Sequence, residues 1–256
     1  MPEPCRRFRL GPVGNAQVLN RTHAALRAED LLADMIQCEY RGELALVSSF
    51  GADAVVLLHM ISRIDTATPV LFLETGMLFA ETLDYQRHVA EVLELREVRL
   101  IRPDSQDIEM LDPGADLHGD NPDGCCYLRK TLPLRRALEP FAASITGRKR
   151  HQAATRAALP LFEADGAHHL KINPLANWRA EQVRGNTVDN DLPRHPLVAK
   201  GYPSIGCAPC TTPVGDGEDP RAGRWRGQDK VECGIHFDGK QWVRQDSSDH
   251  VRKGFI

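Results

Sequence analysis

Short apolar runs alternate with longer stretches of helical periodicity through the first half of the chain. Three runs are short and apolar, as buried strands are: 43–47, 69–73 and 98–101. Three stretches carry apolar residues at helical spacing: 22–40, 52–64 and 80–95. Strands that alternate with helices of this length form a parallel sheet with right-handed crossovers, covered by helices on both faces. The pattern therefore predicts an α/β fold with a doubly wound parallel sheet.

The second half of the chain continues this pattern and then loses it. We predict a helix at 125–138 and strands at 141–146 and 170–172. From His195 onward Gly and Pro are dense, which predicts an irregular segment whose order depends on bound metal or substrate. The expected division has three parts: an N-terminal helical segment at 1–40, an α/β domain at 41–200 with the first cysteine pair, and a C-terminal segment at 201–256 with the second.

Composition limits the class of protein. Of 256 residues, 42% are hydrophobic and 26% are charged, with a formal net charge of -3, which is typical of globular proteins and argues against disordered, collagen-like and coiled-coil chains. The chain has no run of about 18 apolar residues, and its start is Arg-rich without an apolar core. We expect a soluble, cytoplasmic protein, and the near-neutral charge speaks against general nucleic-acid binding.

A polar turn follows the first predicted strand. Ser48 to Asp53 places backbone N–H groups and two hydroxyls at the start of a helix, where an anion can bind. The turn lacks the Lys of a Walker A loop and the glycines of a dinucleotide fingerprint, and such turns are also common as helix caps. Its place at the carboxyl end of the first strand favours a ligand site, which Glu74 to Gly76 would share at the end of the next strand.

Basic residues are concentrated in one part of the chain. From Cys126 to Ala157 the sequence has eight of them against one acid, Glu139: Arg129, Lys130, Arg135, Arg136, Arg148, Lys149, Arg150 and Arg156. Such a segment suits a compact anion, although a solvated helix face would give the same composition.

The cysteines form two pairs and three single residues. Cys125 and Cys126 are adjacent, and their Cα separation of about 3.8 Å is below the roughly 4.4 Å that a disulfide requires. Cys207 and Cys210 have the two-residue spacing that lets both thiolates reach one metal centre. Four thiolates suit either zinc or an iron–sulfur cluster, and the adjacent pair favours the cluster, which offers each ligand a separate iron.

One further cysteine is a candidate nucleophile. Cys233 lies close in sequence to His236, Lys230 and Arg224, and neighbouring positive charge lowers the pKa of a thiol. A single Cys beside a Gly is as often inert. We interpret Cys5 and Cys38 as incidental.

Six motifs occur together and in order: Ser48 to Asp53, Cys125-Cys126 with Leu128-Arg129-Lys130, Thr146 to Arg150, Tyr202 to Thr211, Arg221 to Trp225, and Glu232 to His236. In this combination the chain resembles the assimilatory adenylylsulfate (APS) reductases of bacteria, from about residue 42 to residue 236. The two cysteine pairs distinguish that group from the related 3'-phosphoadenylylsulfate (PAPS) reductases. The resemblance implies an adenine nucleotide alpha hydrolase-like fold.

The resemblance also implies roles for individual residues. It implies a 4Fe-4S cluster held by Cys125, Cys126, Cys207 and Cys210. It implies that Lys130 takes part in catalysis and that Cys233 is the nucleophile on a mobile tail. The implied nucleotide and phosphosulfate contacts are Ser48, Ser49, Gly51, Asp53, Leu73, Thr75, Gly76, Gly147, Lys149, Arg150, Gln152, Arg221, Arg224, Trp225 and His236.

The implied reaction is thioredoxin-dependent reduction of APS to sulfite and AMP in sulfate assimilation. The Cys233 thiolate attacks the sulfur, AMP leaves, and thioredoxin releases sulfite from the resulting thiosulfonate. No membrane or nucleic-acid partner is expected, and a homo-oligomer is compatible with this reading.

Three alternatives stay open from the sequence. PAPS is one alternative substrate. An ATP pyrophosphatase acting in tRNA modification is the second; it shares the fold but does not need Cys233. The third is a binding module without enzyme activity, stabilised by zinc, which would be colourless. The chain also departs from the family pattern in several places. Asp53 and Ala54 stand where Glu-Asp is usual, Glu74 where Asp is common, Lys149 where Arg is frequent and Ala153 where Ser is frequent, and the usual Trp and Tyr are missing near 184–186.

Overall fold

Six strands form one sheet in the structure, a computed structural model that describes residues 10–228, 230 and 232. In chain order they are β1 (Leu44–Ser48), β2 (Val70–Leu73), β3 (Val98–Ile101), β4 (Ala143–Ile145), β5 (Phe162–Asp165) and β6 (His169–Ile172). Their spatial order is β3-β2-β1-β4-β6-β5, and only the β5–β6 pair is antiparallel. The chain order reverses between β1 and β4, which is where doubly wound sheets bind ligands.

Nine α-helices connect or flank the strands in the described part of the chain. They are α1 (Gly11–Thr22), α2 (Ala28–Asp34), α3 (Ala54–Ser62), α4 (Ala80–Val92), α5 (Ser105–Leu111), α6 (Leu117–Asp120), α7 (Pro122–Cys126), α8 (Leu132–Leu138) and α9 (Ala180–Asp189). Two π-helical turns, Met35–Glu39 and Tyr127–Thr131, continue α2 and join α7 to α8. Short 3-10 turns occur at Arg150–Gln152, Ala154–Arg156, Pro196–Lys200 and Ala208–Cys210. None of the described helices has the length and apolar character needed to cross a bilayer.

The predicted fold class is confirmed. All five predicted strands occur within two residues of their expected bounds, and the helices at 52–64, 80–95 and 125–138 correspond to α3, α4 and the continuous run from α7 to α8. After α9 the described residues contain only 3-10 turns and isolated bridges, as expected for the irregular C-terminal segment.

The N-terminal helix and the antiparallel strand were missed. The predicted helix at 22–40 begins too early, because Thr22 ends α1 and the next helix starts at Ala28. The β5 sequence Phe-Glu-Ala-Asp has acidic residues at alternate positions, which hides it among the loops. A side chain outside the strand holds it in place. Asn20 Nδ2 donates to the Phe162 backbone carbonyl at 2.7 Å, and Asn20 Oδ1 accepts from the Phe162 backbone N–H at 3.1 Å.

Apolar residues cover both faces of the central strands. Along β1, Leu44 and Leu46 belong to the larger core, which also contains residues of α1, α2 and α3, while Ala45 faces a smaller core against α8. A strand buried on both faces needs a continuous apolar run, which is what made β1 recognisable in the sequence. The N-terminal helices share the core of the sheet, and the proposed division into three segments stays a prediction.

His195 joins the C-terminal segment to α4. Its Nδ1 accepts a hydrogen bond from the Leu197 amide at 3.2 Å, so its Nε2 carries the proton and donates to Thr82 Oγ1 at 3.1 Å. The ring is buried beside Tyr85, with ring centroids 4.7 Å apart. Burial, partly offset by Glu81, lowers the pKa of His195 from 6.5 to about 4.

We expect His195 to make the free energy of unfolding pH-dependent. Because the folded pKa lies below the unfolded value of 6.5, the stability that the neutral ring provides is complete above that pH and is lost as the pH falls towards 4. The loss is about 3 kcal/mol, at about 1.4 kcal/mol per pKa unit. His195→Asn keeps an acceptor for the Leu197 amide but does not titrate. Urea unfolding of both proteins across this range should give a steeper pH dependence for the wild type, and equal slopes would contradict the assignment.

Candidate active site

A cavity of about 240 Å³ lies at the carboxyl ends of β1, β2 and β4. Its walls come from the turn after β1, the loop after β4 and the C-terminal segment around Ser204. Among the described residues that line it, six are basic and two are acidic: Lys130, Arg148, Lys149, Arg156, Arg221 and Arg224 against Asp53 and Glu232. This excess of positive charge suits an anionic ligand.

The turn after β1 is held by a buried aromatic residue. Phe50 has a positive φ of 47°, a left-handed conformation that is uncommon outside glycine, and its ring is buried edge-on against Phe72 at 5.1 Å. Its amide donates to Ser48 Oγ at 3.1 Å. The packing of Phe50 therefore stabilises the left-handed turn and leaves Ser49 exposed beside Gly51 at the cavity.

Lys149 connects this turn to the loop after β4. Its Nζ donates to Asp53 Oδ2 at 3.1 Å and to the Gly147 carbonyl at 3.3 Å, and the side chain is almost fully buried. Burial lowers the pKa of Lys149, and the neighbouring Asp53 carboxylate acts in the opposite direction. Lys149 thus neutralises the acid at the start of α3 and fixes the distance between the two loops.

Arg148 points into the protein beneath the cavity. Its Nη2 donates to Asn173 Oδ1 at 3.1 Å, its Nε donates to Thr146 Oγ1 at 3.3 Å, and it forms an ion pair with Glu163 of β5. Burial is the main reason that the pKa of Arg148 falls from 12.5 to about 10, with Arg156 adding to the effect. Arg148 anchors the loop after β4, the basic loop, which also carries Lys149, Arg150 and Arg156, to β5 and to the end of β6.

Arg224 closes the other side of the cavity. Its Nη1 donates to the Ile205 carbonyl at 3.3 Å, and its guanidinium lies over the Trp225 ring, 4.4 Å from the centroid. A Cβ at Gly206 would come within 2.3 Å of Arg224 Nη2, so the backbone there needs glycine to let the guanidinium approach.

The two cysteine pairs lie beside the end of β2. Cys125 and Cys126 end α7, while Cys207 forms a backbone bridge with Leu78 and its Sγ is 3.3 Å from Thr75 Oγ1. The four thiols are unbridged, and three of them are buried. The pKa of Cys125 is raised to about 11, mainly by burial and then by the proximity of Cys207, while Arg129 acts in the opposite direction. The chain thus brings both pairs together next to the cavity.

Within the described residues, no three His, Cys, Asp or Glu side chains are arranged to hold one metal ion. A tetrahedral zinc site requires its ligands around a single ion, whereas thiolates of a cubane cluster bind separate irons. One buried donor is also available: the Trp225 indole Nε1 has no hydrogen-bond partner, and the Trp225 amide donates to the Cys210 carbonyl at 3.0 Å. Four soft thiols beside the end of β2 are ligands of the type that an iron–sulfur cluster takes.

Comparison with known proteins identifies the family. The phosphoadenosine phosphosulfate reductase domain matches residues 43–213. The chain belongs to this family. It is 52% identical over 198 residues to the adenosine 5'-phosphosulfate reductase of Chelativorans sp. (strain BNC1), covering 77% of this chain and 80% of that protein. It is 45% identical over 238 residues to the protein of the same name from Mesorhizobium japonicum, covering 93% of each.

A solved reductase supports the same assignment. The crystal structure of phosphoadenylyl-sulfate (PAPS) reductase from Candida auris, in a phosphate complex, superposes with a TM-score of 0.67 and 28% identity. The match covers 81% of this chain and all of that one. The resemblance stated from the sequence is confirmed at the level of the reductase family.

The structure places most residues implied by the family resemblance at one cavity. The lining includes Ser48, Ser49, Gly51, Asp53, Leu73, Thr75, Lys130, Gly147, Lys149, Gln152, Arg221 and Arg224. Three others do not line it: Gly76 follows Thr75 near Arg129, Arg150 donates to the Leu159 carbonyl at 2.7 Å, and Trp225 is buried behind Arg224. Cys233 and His236 lie outside the described residues. The substrate contacts of all these residues remain predictions.

Sequence reasoning missed several residues of the lining. Glu232 was noted only as part of a motif, and Arg156 only as one of many basic residues, yet both line the cavity and pair with each other. Ser204 and Ile205 also line it, and their position just before the second cysteine pair was the available signal. The described cysteine outside the two pairs, Cys38, is disulfide-bonded and does not line the cavity.

A buried ion pair supports the cysteine-bearing helix. Arg129 Nη2 donates to Asp112 Oδ2 at 2.6 Å, and its Nη1 donates to the Thr75 carbonyl at 3.0 Å. Both side chains are nearly inaccessible to solvent. Asp112 therefore holds the π-helical turn after Cys126 against the end of β2.

We expect Asp112→Asn to destabilise the protein by about 3 kcal/mol or more, because it leaves the Arg129 charge buried without a carboxylate. The new side chain keeps an acceptor for the Leu117 amide, which Asp112 Oδ1 binds at 3.0 Å. Asp107→Asn is the matched control, since its pair with Arg136 is much more exposed and should be worth less than about 1 kcal/mol. Urea unfolding midpoints measure both, and equal losses would rule out this anchoring role.

Proposed function

We propose that this chain reduces adenosine 5'-phosphosulfate to sulfite and AMP, with thioredoxin as electron donor. The observation that carries the proposal is a cavity with an excess of basic side chains at the carboxyl ends of parallel strands, next to two cysteine pairs. Relatives that match most of the chain at 52% and 45% identity are named for this reaction.

The described residues provide the binding functions that the reaction needs. The turn from Ser48 to Asp53 and the start of α3 offer hydroxyls and N–H groups to a phosphate. Lys130, Arg221 and Arg224 supply charge-assisted donors at the same cavity. Cationic groups there offset the charge on the sulfonyl oxygens and on the departing phosphate as the S–O bond breaks.

Cys233 is the proposed nucleophile on sequence grounds. Its thiolate forms a bond to the sulfonyl sulfur, and the S–O bond to AMP breaks with its electron pair leaving on the phosphate. A thiolate of the external dithiol then attacks Cys233 Sγ, and sulfite departs with the electron pair of the S–S bond. The second thiol of the donor resolves the mixed disulfide, so the dithiol is oxidised by two electrons and Cys233 returns as thiolate.

We infer that Cys125, Cys126, Cys207 and Cys210 hold a 4Fe-4S cluster. Three buried thiols, the electrostatic influence of Cys207 and Cys210 on Cys125, and the Thr75 hydroxyl 3.3 Å from Cys207 Sγ support this ligand set. Bound there, the cluster would tie α7 to the C-terminal segment and add a charged group near Lys130. Lys130 itself lines the cavity from the π-helical turn that follows Cys126.

PAPS is the second candidate substrate. The family description and the Candida auris reductase both refer to this nucleotide, which differs from APS by a 3'-phosphate. Steady-state rates with both nucleotides, at equal thioredoxin, separate the two. A higher kcat/KM with PAPS would replace APS in the proposal and leave the nucleophile and cluster assignments unchanged.

We expect replacement of any one cluster cysteine by Ser to lower iron and acid-labile sulfide, because a hydroxyl is a poor ligand for iron in place of a thiolate. The wild type purified without oxygen should be brown, and its visible absorbance should fall in each variant. Cys233→Ser is the control and should keep wild-type iron. Full iron and sulfide in all four variants would exclude this ligand set, and zinc in place of iron in the wild type would exclude the cluster.

We expect wild-type protein mixed with one equivalent of APS, without thioredoxin, to release AMP once and to carry a sulfonate on the peptide that contains Cys233. Cys233→Ser should still bind APS but release almost no AMP, because a Ser hydroxyl is scarcely ionised at neutral pH. Mass spectrometry locates the adduct, and added thioredoxin should remove it. AMP release by Cys233→Ser at the wild-type rate would overturn the mechanism.

A further inference from the structure

The carboxylate of Glu232 is held at the cavity by a guanidinium fork. Arg156 Nε donates to Glu232 Oε1 at 2.8 Å and Arg156 Nη2 donates to Oε2 at 2.7 Å, so both oxygens are bound. Thr155 Oγ1 lies 3.4 Å from Oε1, and Arg221 Nη2 lies 3.6 Å from Oε2. These side chains are largely shielded, with 12% of Arg156 and 20% of Glu232 exposed. A paired, partly buried contact of this kind is stronger than a surface ion pair.

Arg156 is itself fixed by the basic loop. Its remaining terminal nitrogen, Nη1, donates to Gln152 Oε1 at 2.8 Å. The same amide oxygen accepts the Lys149 backbone N–H at 3.1 Å, and Lys149 is anchored to Asp53. A continuous set of hydrogen bonds therefore runs from the turn after β1 to Glu232. The position of Glu232 is set by the same loops that shape the anion cavity.

A second contact holds the chain two residues earlier. Lys230 Nζ forms an ion pair with Asp123 of α7 and lies 5.6 Å from the centroid of the Trp225 ring. Asp123 is two residues before Cys125 in the same helix. Lys230 is thus attached on the cysteine side of the cavity, and Glu232 on the side of the basic loop.

We propose that Glu232 is a positioning residue for the nucleophile: by docking on Arg156 it fixes the chain one residue before Cys233 beside the anion cavity. Only one peptide unit separates Glu232 from Cys233, about 3.8 Å between Cα atoms, so the docked carboxylate limits where the thiol can lie. Positioning of this kind lowers the entropy cost of attack on a bound substrate. The inference rests on the proposed function for the identity of the nucleophile.

The arrangement has a simpler competing explanation. Glu232 would then only neutralise the guanidinium groups of Arg156 and Arg221, as an internal anion in place of the substrate. Under that reading its removal would strengthen APS binding and leave the rate of attack unchanged. Positioning predicts the reverse, a slower attack with APS affinity nearly unaltered.

The first test is single-turnover AMP release from saturating APS without thioredoxin. Glu232→Gln should slow AMP release and Cys233 sulfonation about tenfold, the scale of one charge-assisted contact. The dissociation constant for APS should change less than about twofold. Glu232→Asp keeps the charge and should recover part of the rate. In an Arg156→Met background, Glu232→Gln should have no further effect on the rate, because the two residues act as a unit. A wild-type rate in Glu232→Gln, or equal losses in both backgrounds, would overturn the proposal.

The second test does not depend on activity. Trypsin cleavage after Lys230 requires local opening of the docked segment, so Glu232→Gln and Arg156→Met should both raise its rate several-fold. Arg156→Met leaves the sequence around the cleaved bond unchanged, which removes any effect of residue 232 on the protease. Glu218→Gln is the matched control: it removes another carboxylate bound by an Arg of the C-terminal segment, Arg226, but one that does not line the cavity. Unchanged cleavage in both test variants would exclude docking.

The two tests separate this inference from the proposed function. If the wild type released no AMP from APS, the proposed reaction would be wrong, and the nucleophile role of Cys233 with it. If the wild type is active but Glu232→Gln matches it with normal iron content, only the positioning role fails. Circular dichroism and iron content show that the variants are folded, and Glu232→Asp provides the conservative comparison.

Discussion

The site depends on crowding positive charge around one cavity without leaving buried cations unpaired. Like charges that line one cavity repel each other. A buried guanidinium or ammonium group without a counter-ion also lowers the stability of the folded protein by several kcal/mol. Three carboxylates relieve the strongest cases: Asp53 for Lys149, Glu163 for Arg148 and Glu232 for Arg156. They come from the start of α3, from the edge strand β5 and from the C-terminal segment. The basic loop is therefore held by ion pairs with three distant parts of the chain.

The need for distant carboxylates around the basic residues explains which parts of the protein could be predicted from its sequence. Buried parallel strands such as β1 can be recognised in the sequence because they are continuous apolar runs. The turn after β1 could be predicted as a ligand site because it lies where such sheets bind ligands. The spacing of the cysteines likewise identified the four thiols that the structure brings together. The strand β5 was not predicted because two of its four residues are acids that form ion pairs. Glu163 neutralises Arg148, and Asp165 pairs with Lys171 at 2.9 Å. The alternate acids of β5 serve the charge balance of the site, so they gave no strand signal.

The orientation of each basic residue could not be derived from the sequence. Arg129 and Lys130 are adjacent on the π-helical turn, yet Arg129 is directed inward to Asp112 and Thr75 while Lys130 lines the cavity. Arg148, Lys149 and Arg150 are likewise consecutive, and Arg150 is turned away to the Leu159 carbonyl. Which of several neighbouring cations faces a ligand depends on partners outside its own segment: Leu159 for Arg150, and Asp112 and Thr75 for Arg129. Local composition indicates only that a cation-rich site exists.

Two departures from the family pattern meet in one contact. In the pattern on which the sequence resemblance rests, Glu-Asp stands where this chain has Asp53 and Ala54, and Arg stands where it has Lys149. The structure pairs Asp53 with Lys149 at 3.1 Å. An ammonium group is a compact charge with three donors, so it can bind a single carboxylate oxygen and a backbone carbonyl at the same time. Because Ala54 contributes no second carboxylate, the single positive charge of Lys149 balances the single negative charge of Asp53. Relative to a Glu-Asp pair with one Arg, this corner of the cavity carries one negative charge fewer, which favours an anionic ligand.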